Sequence, residues 1–298
     1  MARIEYKTLD QIRHMRRAGL VVADIHQALR DFAAPGVTTG QCDDVVREVI
    51  ARAGAKSNFL GYHGFPATVC ISVNDEVVHG IPGKRRLKAG DIVSFDCGAY
   101  VEADGKQWHG DAAFTMIIGD DRHASSPSAA EQAIGSTLLR RRRDLDELTF
   151  NAMKAALEAA ASGKRVKAIG IAVEGIVDEH ARGGHGWSAG IVEEYTGHGI
   201  GTRMHQAPEV YNYPVIGRTD KLRPGMVLAI EPMLTTGSPE TTVDADEWTV
   251  RTVDGSDAAQ WEHTIALLEG GVNVLTHRDG GRGLFGSHVG SVPIIDLD

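Results

Sequence analysis

The sequence predicts an α+β protein of two halves related by a pseudo-twofold, with sheet covered by helices. Three observations carry this. Segments with helical and with strand periodicity appear twice in the same order. Leu87-Lys-Ala-Gly-Asp-Ile-Val-Ser-Phe-Asp96 aligns without a gap on Leu222-Arg-Pro-Gly-Met-Val-Leu-Ala-Ile-Glu231. Within each copy a run is apolar on both faces, Ile92–Phe95 and Val227–Ile230, as in a strand covered from both sides.

In chain order, Leu9, Ile12, Met15, Ala18, Val22, Ile25, Leu29 and Phe32 fall at three-and-four spacing and predict one long amphipathic helix, broken by Pro35-Gly36. Thr38 or Thr39 can cap a second helix, Asp43 to Ala53, which Gly54 ends. After Gly61 come β-rich runs at Ala67–Val73, Asp91–Val101 and Ala112–Ile118. Residues 120 to 148 carry no clear period. Helices follow at Phe150 to Ala161 and Val166 to Ala181, then β runs at Gly190–Val192, Met226–Glu231, Trp248–Val253 and Trp261–Leu268.

Composition narrows the class of function. The chain has 298 residues with 31 Lys+Arg against 40 Asp+Glu, a net charge of −9 that disfavours a broad DNA-binding or anionic-membrane surface. Arg140 to Arg143 form a basic run, but Asp144, Asp146 and Glu147 nearly neutralise it and a solvated helix face is the simpler reading. Three cysteines without CxxC spacing suit neither a disulfide framework nor a structural zinc site. With a charged N-terminus and no apolar run long enough to span a bilayer, the expectation is a cytoplasmic protein.

The repeat also aligns chemistry. Upstream of each copy stands His-Gly-Ile, at His79 and His198; downstream, a second acid opens a β run, Asp111 and Glu262. Each half thus supplies His, acid, acid, and the six residues are expected to meet where the halves face each other. Four converging, buried carboxylates cannot all stay ionised without compensation. No Lys or Arg recurs near them in both halves, whereas two divalent cations would balance the charge, with one neutral imidazole completing a mixed N/O shell suited to Mn, Fe, Co or Zn.

Tyr195-Thr-Gly-His198-Gly-Ile-Gly-Thr-Arg-Met-His205, Val210-Tyr-Asn-Tyr213, Val69-Cys-Ile-Ser-Val-Asn74, His79-Gly-Ile-Pro82, His109-Gly-Asp111, Ile230-Glu-Pro232 and Trp261-Glu-His-Thr264 together resemble the type I methionine aminopeptidases. The resemblance runs from about residue 10 to 276. It implies the pita-bread fold, α+β, with two pseudo-twofold-related halves and a central antiparallel-rich sheet covered by helices. It implies one catalytic domain over 1–276, halves at about 55–120 and 185–270, and a tail over 277–298.

The implied activity is removal of N-terminal methionine when the second residue is small, in protein maturation. Metal ligands would be Asp96, Asp111, His198, Glu231 and Glu262, with Asp111 and Glu262 bridging two divalent ions (Co, Mn, Fe, Zn or Ni), Asp96 on one and His198 and Glu231 on the other. His79 and His205 would contact the scissile amide and Glu231 would accept a proton from the attacking water. The seven-residue step from His198 to His205 lets one face metal and the other substrate. The methionine pocket maps onto Phe59, Tyr62, Phe65, Cys70 and Trp248, with Met204 where the family often has an aromatic. Implied partners are nascent polypeptide N-termini met by a monomer, without DNA or membrane. The ribosome is a further candidate partner, with Arg140–Arg143 as its contact.

Three departures are set apart: the interval from Asp96 to Asp111 is longer than in compact members, implying a longer hairpin whose tip can loop out without moving the ligands, residues 135–147 look like an extension of a helix or loop, and 277–298 form an added tail. The competing functions are an X-Pro-type pita-bread peptidase, which carries a separate N-terminal domain, and a non-catalytic pita-bread module, which has lost its ligands. Gly281-Arg-Gly-Leu-Phe-Gly286 fits GxGxxG but leaves no room for a βαβ unit. His63, His109 and His263 flank motifs as second-rank candidates, and the segment before Leu9 is expected to be free of the core.

Overall fold

The computed structural model describes residues 3–121, 127–285 and 292–297. Helix α1, Leu9–Phe32, follows the predicted bounds; Thr8 caps it and exchanges bonds with Gln11. Ile12, Met15, Val22, Ile25 and Leu29 form its buried face, while the end residues Leu9 and Phe32 are exposed. Helix α2, Thr39–Arg52, is capped by Thr38, one of the two expected caps, and so begins four residues before the expected start at Asp43.

The first half is built on a long antiparallel hairpin. Strands β1 (Lys56–Ser57), β2 (Val69–Val73), β3 (Glu76–Val78), β4 (Ile92–Ala103) and β5 (Lys106–Ile117) come first, and β4 pairs with β1, β2 and β5. The β4–β5 ladder is continuous from Ile92↔Ile117 to Ala103↔Lys106. Asp104 and Gly105, at φ 53° and 68°, make the two-residue turn with both residues left-handed that such hairpins favour. The longer hairpin is present, but its tip does not loop out: the extra length is paired strand, pinned by buried Trp108, whose indole N–H donates to Ala103 O at 3.1 Å.

Two helices follow, α3 (Ala129–Ser162), broken at Gly135 with φ +76°, and α4 (Lys167–Arg182). The unreadable stretch is thus mostly helix. Its inward face carries Leu139 and Leu145 but also Arg142 and Asp146, and those buried charges hide the apolar period. Arg142 bonds both oxygens of Asp257 at 2.7 and 3.0 Å, Arg143 pairs with Asp120, and Arg141 donates to Thr236 O at 2.6 Å. These three guanidiniums serve the fold while Arg140 is exposed, so the run is a solvated face only in part.

The second half uses ten short strands: β6 (Gly190–Ile191), β7 (Gly197–Gly199), β8 (Gln206–Val210), β9 (Val227–Ile230), β10 (Met233–Thr235), β11 (Thr241–Val243), β12 (Val250–Thr252), β13 (Ala258–Gln260), β14 (His263–Leu268) and β15 (Gly271–Val274). Five of them form a sheet in the order β15-β14-β9-β7-β8, and every strand pairing in the described residues is antiparallel. The halves are stitched together where Ala113 of β5 and Glu262, just before β14, exchange backbone bonds at 2.9 and 3.3 Å.

Two terminal regions need comment. The segment before Leu9 is not free: Lys7 N–H donates to Gly225 O at 2.8 Å and the Lys7 side chain is buried. Near the other end, Ile294 forms a bridge with Val272, Asn273 Nδ2 donates to Ile295 O, and Arg16 donates to four carbonyls between Val274 and Arg278. Of the GxGxxG match, Gly286 lies outside the described residues.

Candidate metal centre and adjoining cavity

Strand alternation places the predicted ligands on one face. Across the first half, Asp96 pairs with Ala113, and Asp111 lies two residues from Ala113, so both acids point the same way. Ala113 pairs in turn with Glu262, which adds that carboxylate to the row. In the second half His198 pairs with Ala229, Ala229 pairs with Thr264, and Glu231 and Glu262 each lie two residues along those strands. All five side chains therefore converge from five different strand positions. Thr264 locks the junction, its hydroxyl donating to Asp111 O at 2.7 Å and accepting from Asp111 N–H at 3.1 Å.

The distances suit a cation. Ligand atoms of Asp111, His198 and Glu262 all lie within 4.8 Å of one another, and His198 Nε2 is 3.6 Å from Glu231 Oε1. Asp96 Oδ1, Asp111 Oδ1 and Glu262 Oε1 are buried without a hydrogen-bond partner, although a buried carboxylate oxygen normally has one. Burial, then mutual repulsion, pushes Asp111, Glu231 and Glu262 well above the usual carboxylate range; burial alone raises Asp96 to about 7. His198 is held neutral, its pKa pushed by burial and then by His205 to about 3. Neutral imidazole beside orphaned carboxylate oxygens is the donor set a divalent ion needs, and the residues fit such an ion. Tight packing maintains it: a methyl group on Gly98 would fall 2.8 Å from Asp111 Oδ1.

Beside the acids lies a cavity of about 260 Å³. Every residue predicted for the site lines it: the five ligands, His79 and His205, and Phe59, Tyr62, Phe65, Cys70, Met204 and Trp248. Phe59, Phe65, Ala67, Cys70 and Met204 form an apolar cluster separate from the main cores. Phe65 meets Trp248 edge-on at 5.1 Å.

The two remaining histidines sit differently. His79 occupies the left-handed region at φ +61°, a costly conformation for a side chain with a Cβ, and Gly80 packs so close to Ile71 that a Cβ there would be 2.2 Å from Ile71 O. Burial and then His205 push its pKa down to about 4, so at neutral pH it carries one ring N–H. His205 Nδ1 is 2.7 Å from the Tyr62 hydroxyl. With that hydroxyl donating, the proton of a neutral His205 stands on Nε2, available to a ligand.

Sequence reasoning treated Tyr62 only as pocket wall and did not find Asn58, Gln260 or Thr264. Asn58 bonds His109 Nδ1 at 2.8 Å, and Gln260 reaches Glu231 at 3.4 Å. None stands in the repeated His, acid, acid pattern; Thr264 closes the Trp261–Thr264 motif, while Asn58 and Gln260 have only neighbours in the motifs to point to them. His63 lines the cavity; His109 and His263 are buried close in sequence to Asp111 and Glu262 and bond Asn58 and Thr276.

The model of metallopeptidase family M24 matches residues 13–269. Methionine aminopeptidase 1 of Mycobacterium tuberculosis is 42% identical over 275 residues, covering 92% of this chain and 95% of its own. The crystal structure of the Thermotoga maritima methionine aminopeptidase superposes with a TM-score of 0.79 at 34% identity, over 93% of this chain and all (100%) of that one. A prolidase from Pyrococcus furiosus shares the fold alone, at a TM-score of 0.63 and 19% identity, and this chain covers 65% of it. The architecture is the pita-bread fold that the family resemblance implied.

Proposed function

The chain belongs to metallopeptidase family M24, and from that premise we propose how its site works as a metal-dependent methionine aminopeptidase, removing N-terminal methionine from polypeptides. The observation that carries the reading is the juxtaposition of five ligand side chains with an aromatic and thioether-lined cavity. Asp96, Asp111, His198, Glu231 and Glu262 would hold two divalent ions drawn from Co, Mn, Fe, Zn and Ni, with Asp111 and Glu262 shared. Such ions supply the Lewis acidity that makes water a nucleophile at neutral pH and draws charge from a carbonyl.

The chain's own groups do the rest. Phe59, Phe65, Cys70, Met204 and Trp248 take the methionine side chain, a soft thioether among polarizable walls. His79 and His205, both held neutral, donate ring N–H groups to the scissile amide and stabilise the charge that develops on it. Glu231, 3.4 Å from Gln260 Nε2, accepts the proton lost by the attacking water.

A cramped approach beside the acids restricts the second residue to small side chains. Residues 1–276 act as one catalytic domain, with 277–298 as its tail. Substrates are nascent chains in the cytoplasm, met by a monomer; docking on the ribosome would need a surface other than Arg141–Arg143, which are engaged within the fold. No helix among the described residues is long and apolar enough to cross a membrane.

The test is hydrolysis of Met-Ala-Ser, Leu-Ala-Ser, Met-Lys-Ser and Met-Pro-Ser by the metal-loaded protein. Release of methionine from the first and last, with Leu-Ala-Ser and Met-Lys-Ser refused, is expected. Equal cleavage of Leu-Ala-Ser would overturn the pocket assignment, and efficient cleavage of Met-Lys-Ser would overturn the size rule. An X-Pro-type peptidase would cleave Met-Pro-Ser and leave Met-Ala-Ser intact.

A further inference from the structure

The loop that presents Met204 and His205 begins at Thr202 and ends at Gln206, and both ends are gripped by the chain's own N-terminal segment. The Glu5 carboxylate accepts from Thr202 N–H at 3.3 Å and from the Thr202 hydroxyl at 3.0 Å. Gln206 Nε2 donates to that hydroxyl at 3.1 Å, and Gln206 Oε1 accepts from Lys7 Nζ at 3.2 Å. Lys7 Nζ lies 3.7 Å from Glu5 Oε2, which closes a ring of four side chains.

Two further features make this a built contact. Gly201 has no side chain where one would collide: a Cβ would fall 2.4 Å from Lys7 Cε, 2.5 Å from Glu5 Oε2 and 2.7 Å from Gln206 Oε1. The Lys7 side chain is only 1% exposed, so its ammonium depends on Glu5 and Gln206 in place of water. Such a buried donor stays satisfied only while the loop ends stand where they are.

We propose that Glu5 and Lys7 are positioning residues for the peptidase reaction, a clamp that fixes both ends of the Thr202–Gln206 loop and so holds His205 and Met204 at the cavity. The proposal rests on the reading of His205 as a group that touches substrate. A displacement of the order of 1 Å at such a group is enough to lower turnover without removing any catalytic atom.

The experiment uses full-length, metal-loaded wild type, Lys7→Met, Glu5→Ala and Glu5→Gln, with two readouts. Hydrogen–deuterium exchange over residues 200–207 should rise several-fold in Lys7→Met and Glu5→Ala and stay unchanged over 92–117. For Met-Ala-Ser, kcat should fall about tenfold in those two variants with KM and bound metal little altered. Glu5→Gln, which keeps an acceptor oxygen for Thr202, should recover most of both. Unchanged exchange over 200–207 overturns the clamp, and raised exchange with unchanged kcat overturns its part in the reaction. Loss of bound metal in step with kcat, without recovery in Glu5→Gln, overturns it as well. A wild-type chain inert to Met-Ala-Ser would instead sink the functional reading, and the exchange arm would still decide whether the clamp holds the loop.

Discussion

The two halves carry the same pattern of His, acid, acid, yet they use it differently. In the first half both acids stand in the middle of twelve-residue strands, Asp96 on β4 and Asp111 on β5, braced by ladder on either side. In the second half His198 sits in a three-residue strand, Glu231 just beyond β9 and Glu262 just before β14. The matching histidines diverge further: His198 joins the row of acids, whereas His79 turns away at φ +61° to meet Tyr195 and Trp248 edge-on. A duplicated motif thus supplies a matched set of carboxylates and an asymmetric pair of imidazoles, one beside the acids and one turned toward the aromatic wall of the cavity.

The widest effect is expected where the halves act alike. Asp111→Asn and Glu262→Gln should each lower turnover of methionyl peptides by about 10³-fold or more and reduce bound metal, because each removes charge from a position between the two halves. A difference of two orders of magnitude between the two variants would break the equivalence. The histidines should then separate: His198→Ala should lose metal, while His79→Ala keeps its metal and lowers kcat by about 10²–10⁴-fold. Metal analysis beside single-turnover rates checks this, and metal loss in His79→Ala would contradict the asymmetry.

A smaller effect tests the stitch between the halves. Thr264→Val removes the hydroxyl that both donates to and accepts from the Asp111 backbone, and metal affinity should fall about 10–100-fold with the fold intact.

Acid sensitivity probes the braced half. His26 on α1 lies 3.0 Å from Ala112 O, and burial, then Arg30, pushes its pKa to about 3. Between pH 6.5 and 3 the unfolded chain binds a proton there that the folded one refuses, so this stability is complete above pH 6.5 and is lost as pH falls. The slope is about 1.4 kcal/mol per pH unit. Guanidinium midpoints at pH 7.5 and 5 should therefore converge in His26→Gln relative to wild type; equal losses in both would show that His26 is not the source. Smallest of all, Gly105→Ala at the hairpin tip should cost about 1 kcal/mol for its left-handed φ and leave kcat unchanged, since the ladder below holds Asp96 and Asp111.

What the sequence made legible follows the same division. That six residues meet at one cavity was readable because duplication aligns Asp96 with Glu231, whereas only the family resemblance divided them into ligands and substrate contacts; the period of α1 was readable because one face is purely apolar. Where polar groups are buried the reading failed. Arg142 and Asp146 masked the part of α3 that precedes Phe150, and the hairpin tip is paired strand because Trp108 buries there. The segment before Leu9 lacks apolar period yet is held by Lys7 and Glu5, whose partners lie about 200 residues away, at Thr202 and Gln206. Long-range polar contacts leave no periodic trace.

The central claim, that carboxylates from both halves and one imidazole form a single metal-dependent peptidase site, is tested most directly by titrating chelator-treated protein with Mn(II) or Co(II) while measuring Met-Ala-Ser turnover. We expect no turnover without metal and full recovery by two equivalents per chain, with Asp96→Asn showing weakened uptake. Full turnover of the chelator-treated protein, or metal uptake that leaves it inert, would contradict the account.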